Sequence, residues 1–167
     1  MRKPTHADAE LLLRLYELRR ESELRRARRW FLAEFQPGTW DEIGPRYLSH
    51  SDEDRWFRMT VSYWEMVASL VNRGVLHAEL FFDHTGEDIV TWKKCLPWLE
   101  GVRAALRPTY LCQFERLVRE HEAYRARTSA AALRSRRRAR PASAPAALRG
   151  DATRAGGGRR RRRPAAR

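Results

Sequence analysis

Lysine is nearly missing from this chain: Lys3, Lys93 and Lys94 are its only three among 34 basic residues. Cysteine is scarcer, with Cys95 and Cys112 outside any CxxC spacing, so neither a disulfide framework nor a thiolate zinc pair is encoded. A reducing, cytoplasmic setting is the expectation. No apolar stretch approaches the roughly 18 residues of a membrane-spanning helix. The start, Met1, Arg2, Lys3 and Pro4 followed by a charged periodic segment, lacks a signal-peptide core. There is no GxGxxG, GxSxG, HExxH, EF-hand spacing or glycine-rich phosphate loop, so no local motif announces an enzyme. Strand signals and long repeats are lacking too, and what remains reads as helix.

Acidic residues and aromatics stop before the basic ones do. Residues 1–126 hold 20 basic and 20 acidic side chains, whereas residues 127–167 hold 14 Arg and a single acid, Asp151. The net charge of +13 is therefore the charge of the C-terminal quarter. All 17 aromatics fall between Tyr16 and Tyr124, and beyond them only Leu133 and Leu148 are large and aliphatic. Such a segment cannot bury enough apolar surface to offset roughly 1–2 kcal/mol of backbone entropy per residue. The expected organisation is one helical domain over 1–126 and a disordered Arg, Ala, Pro and Gly tail over 127–167, helical at most to about 140.

Within the domain, Thr5 and Asp8 read as a helix start, and His6 to Phe35 contains neither Pro nor Gly. Leu11, Leu15 and Leu18 mark one face early on, while Leu24, Ala27, Phe31 and Phe35 mark another later. One bent helix is the preferred reading, with a second helix capped by Ser22 as the alternative. Ser51, followed by Asp52, Glu53 and Asp54, caps a helix that Gly74 stops. Its polar positions, Arg55, Arg58, Ser62, Glu65, Ser69 and Asn72, leave only a narrow stripe for water, so this helix is expected at the centre. Thr85 with Asp88 can cap the next long helix, in which Pro97 predicts a kink or a break. Pro108 suits the first turn of the last helix, whose core stripe is Tyr110, Phe114, Leu117, His121 and Tyr124. The fold class is all-α: about five helices around a buried central one.

Chemistry-bearing residues are few. His77 and Glu79 match the HxE half of a zinc-deaminase signature, but the PCxxC half is missing. His77, Glu79, Asp83, His84, Glu87 and Asp88 lie within twelve residues and offer weak candidates for divalent-metal ligands. A capped helix start explains the same acids without any ion. Cys95 and Cys112 read as buried, inert thiols. The six tryptophans, at helical spacing among aliphatics, read as core. Arg19, Arg25, Arg26 and Arg29 make the one basic face of the domain, diluted by Glu17, Glu21 and Glu23 into a self-neutralising surface. No catalytic residue and no cofactor follows from any of this.

In the tail, Arg136, Arg137 and Arg138 form one run, and Arg159, Arg160, Arg161, Arg162 and Arg163 a second behind three glycines. Such runs neutralise phosphates without reading sequence. The complete absence of lysine there equally fits drift in a GC-rich genome, because Arg, Ala, Pro and Gly share GC-rich codons.

The blocks LYELRRESELRRARRWFLAEF, YWEMVASLVNRGVLHAELFFD and LPWLEGVR resemble those of a small bacterial all-helical family of unknown function. The resemblance spans Leu11 to Leu117 and implies no activity, cofactor or catalytic residue. The functional expectation is a non-enzymatic interaction module, acting by protein binding or self-association through an apolar helix face for which Phe81, Phe82 and Trp98 are the apparent surplus. The alternatives are non-specific nucleic-acid binding through the tail, or a metal-dependent enzyme near His77 to Asp88.

Overall fold

The computed structural model describes residues 2–47 and 49–139, with side chains described to residue 136. All regular structure among them is helical: α1 (His6–Arg20), α2 (Ser22–Ala33), α3 (Trp40–Ile43), α4 (Asp52–Asn72), α5 (Ala78–His84), α6 (Glu87–Ala105) and α7 (Cys112–Ala139). Seven helices stand where about five were expected. The tail run Arg159–Arg163 lies outside the described residues, as does the rest of the tail from Arg140 on.

The centre is α4. Ser51 accepts a hydrogen bond from Asp54 N–H, and three acids occupy the first turn at the positive end of the helix dipole. Phe57, Val61, Trp64, Val67, Ala68 and Val71 are buried, while Arg55, Arg58 and Ser62 of the predicted polar stripe are exposed together with Asp52 and Met66. The helix packs against α2 on one side and α7 on another. Gly74, at φ 71°, ends the segment in the left-handed conformation that glycine accepts without Cβ strain.

The break at Glu21 corrects the single bent helix. Glu21 adopts ψ 139° and its carboxylate accepts the Leu24 N–H, so Glu21, not Ser22, caps α2. Its own N–H still closes α1 on Glu17 and Leu18 carbonyls. One non-helical residue re-aims the chain, and each half then buries its own stripe: Leu15 from α1, and Leu24, Ala27, Trp30 and Phe31 from α2. Lys94 of α6 closes the other end of α2 by donating to the carbonyls of Phe31 and Phe35 at 3.0 and 2.8 Å.

Proline does not break α6. Pro97 and Lys93, whose carbonyl loses its helical donor, are both exposed, so the missing bond falls where water can replace it. Gly101 allows α3 to cross closely: a Cβ there would meet the Trp40 Cβ at 2.4 Å. The last helix begins at Cys112, four residues after Pro108, and its cap comes from another helix. Glu65 of α4 accepts the N–H groups of Gln113 and Phe114 at 3.2 and 2.8 Å. This start leaves Cys112 exposed, against the expected burial, while Cys95 is fully buried.

Candidate functional site

Two groups of residues meet under α1. From the apolar side, Leu12 and Leu15 of α1, Tyr63 and Trp64 of α4 and Phe81 of α5 wall a pocket of about 320 Å³. The wall continues outward onto Leu13 and Tyr16, which are 64% and 49% exposed and lie one turn apart on the same flank of α1. Tyr63 ties the floor to the roof by donating its hydroxyl proton to the Leu15 carbonyl at 3.1 Å. Burial raises that hydroxyl to about 12.

From the polar side, Arg19, His84 and Thr85 complete the wall. Arg19 of α1 and Arg28 of α2 converge on one carboxylate, Glu87, at the start of α6. Arg19 Nη2 donates at 2.7 Å, and Arg28 donates through Nε at 2.6 Å and through Nη2. Burial alone would raise the Glu87 carboxyl, yet the hydrogen bonds and charges of the two guanidiniums hold it below its ordinary value. Arg19 also lies 5.7 Å from the Trp64 ring and 5.9 Å from the Tyr16 ring, so its guanidinium is flanked by aromatic faces. Arg19 and Arg28 are thus tied into the interior. Glu21 is spent on a cap and Glu23 pairs with Arg55, so the expected self-neutralising surface of α2 does not form: Arg25, Arg26 and Arg29 have no acidic partner among the described residues.

The six candidate metal ligands disperse. His77 caps α5, its Nδ1 accepting from Leu80 N–H at 3.2 Å while Nε2–H donates to the Arg2 carbonyl at 2.7 Å. Both ring nitrogens are occupied. Glu79 sits in the first turn of α5. Asp83 accepts from the Tyr124 hydroxyl at 2.5 Å, which pushes that phenol up to about 12. His84 Nδ1–H donates to the Leu80 carbonyl. Glu87 holds the two arginines, and Asp88 points into the core. Among the described residues no three His, Cys, Asp or Glu side chains gather as a ligand set.

Asp88 also overturns the expected cap. Thr85 Oγ1 has no partner among the described residues and Gly86 is the N-cap residue of α6, with no side-chain cap, while Asp88 Oδ2 accepts from His121 Nδ1–H of α7 at 2.6 Å. Both residues are fully buried. Sequence reasoning missed this pair. The one available signal was His121 on the apolar stripe of α7, since a buried imidazole requires a polar partner.

The remaining candidate residues resolve simply. Phe81, Phe82 and Trp98 are 4%, 6% and 0% exposed and belong to the core, so they are not the surplus apolar surface. Trp30, Trp64, Trp92 and Trp98 are buried, with Trp40 and Trp56 packed against the same core. Arg136 is exposed on α7, and Arg137 and Arg138 continue that helix.

The pocket, its charged clamp and its exposed apolar flank thus lie within an all-helical domain, and the chain belongs to the family described as domain of unknown function (DUF4760). The family model matches residues 4–121, which takes in α1 to α6 and the first part of α7 as far as His121. No curated protein and no solved structure matches the chain. No helix among the described residues is long and apolar enough to cross a membrane.

Proposed function

We propose that the domain is a non-enzymatic interaction module that self-associates through the pocket side of α1. The observation that carries this reading is the adjacency of Leu13 and Tyr16, both exposed, to an apolar pocket on the same surface. A two-fold interface requires one patch to hold both the protruding groups and the recess that receives them, and this patch has both. The charges on α1 suit an antiparallel meeting of two copies: exposed Glu10 lies toward its N-terminal end and exposed Arg20 at its C-terminal end, so each faces its opposite across the axis. A single 15-residue helix offers about 22 Å of length, which places the contact at the small, reversible end of interfaces. Light scattering across a concentration series tests the reading: the mass should rise toward twice the monomer, and Leu13→Asp should hold the chain at monomer mass. A constant monomer mass at the highest concentration sinks it.

A second reading is favoured by one feature of α7. The helix runs on past residue 126 to Ala139, and its described side chains there are almost all exposed. Beyond Glu122 this segment carries Arg125, Arg127, Arg134, Arg136, Arg137 and Arg138 with no acid. A projecting basic helix supports non-specific contact with nucleic-acid phosphates. Truncation after residue 126 should abolish binding to duplex DNA and its salt dependence; binding that survives truncation overturns this reading.

A further inference from the structure

We infer that the pocket beneath α1 accepts a small apolar carboxylate, with the Arg19 guanidinium meeting its head group. This rests on the reading of that pocket as the domain's binding site and names a second kind of occupant for it.

Arg19 lines the pocket, and among the described residues its only side-chain hydrogen bond runs from Nη2 to Glu87, which leaves Nη1, a group that can only donate, without a partner. The complement it lacks is an acceptor. The charges point the same way. Arg28 spends Nε and Nη2 on Glu87 and Nη1 on the Arg19 carbonyl, whereas Arg19 gives Glu87 only Nη2. Two guanidiniums share one carboxylate, and the three side chains are only 17%, 16% and 16% exposed. One positive charge is left partly withdrawn from water, which is unfavourable unless an anion meets it.

The rest of the wall decides what that anion carries. Leu12, Leu13, Leu15 and Phe81 offer an inorganic ion nothing, but they would cover an alkyl or aryl tail. At about 320 Å³ the space lies at the small end of the ligand-pocket range, which selects a medium-length tail. A carboxylate is the planar, singly charged group that a guanidinium edge receives best.

Octanoate and octanol, titrated separately into the full chain below their aggregation limits, test this by tryptophan fluorescence, since Trp64 forms part of the wall. Octanoate should bind saturably and at least tenfold more tightly than octanol. Arg19→Gln, which leaves Arg28 on Glu87, should bring octanoate down to the octanol level and leave octanol unchanged. Equal binding of the two probes by the wild-type chain, or no saturable octanoate response, overturns the inference, and this comparison needs no variant to fold. The oligomeric state is read separately by light scattering. A chain that stays monomeric yet selects octanoate upholds the carboxylate site and overturns only self-association.

Discussion

His121 on α7 donates its Nδ1 proton to Asp88 on α6 across 2.6 Å, with both side chains completely removed from solvent. The imidazole stacks on Phe82 at 4.5 Å between ring centres, which fixes its plane. Among the described residues Asp88 Oδ1 and His121 Nε2 have no partner, so each residue depends on the other for the one side-chain hydrogen bond it makes there. Replacing either by Ala strands a buried polar group, and we expect each change to cost about 3 kcal/mol in urea unfolding. The double replacement should cost less than the sum. Strict additivity would show that the two do not act as a pair.

Glu87→Gln should be the most damaging change at the arginine clamp. It leaves Arg19 and Arg28 facing each other with no neutralising carboxylate, and we expect a loss of about 3 kcal/mol. Glu23→Gln, at an exposed pair 3.7 Å from Arg55, should change stability by less than about 0.5 kcal/mol. Denaturant midpoints measured side by side check the contrast, and similar losses would refute it.

Acid should loosen the docking of the N-terminal segment. The Asp8 carboxyl is held far below the usual carboxylate range, first by its hydrogen bond from Arg2 and then by that from Thr5, and it also accepts the His77 N–H at 2.8 Å. Because the unfolded chain takes up this proton at higher pH than the folded one, the stabilisation is complete above about pH 4 and drains away below it. Asp8→Asn should therefore lower the melting temperature at neutral pH, with the gap to wild type narrowing as the pH falls toward 3. A gap independent of pH would contradict the assignment.

Gly101→Ala sets two effects against each other. In mid-helix the change gains about 1 kcal/mol in propensity. Against it, the new Cβ falls 2.4 Å from the Trp40 Cβ, too close for any rotamer to relieve, and overpacking of this kind costs about 1–3 kcal/mol. We expect net destabilisation and a changed near-ultraviolet tryptophan signal. A more stable variant would mean that α3 moves aside freely.

The helices were legible where a cap and a periodic face coincide. Thr5 with Asp8, Ser51 with its three acids, and Gly74 mark boundaries that the structure keeps, because these groups satisfy backbone atoms only a few residues away. The Glu21 break was harder to read, since a glutamate in helix-forming sequence becomes a cap only if two different faces must both be buried. The start of α7 was illegible for a firmer reason: its cap, Glu65, is contributed from 48 residues away.

Local chemistry thus settled in the sequence that the domain is all-helical, that α4 is central and that the charge excess lies beyond the aromatic region. Each of those properties depends on composition or on spacing within a few turns. Which arginines are tied to Glu87, which aspartate meets His121, and that an open pocket lies beneath α1 were decided only by tertiary structure. Buried charges and orphaned donors take whatever partner the packing brings within about 3 Å, and that distance carries no trace in the spacing along the chain.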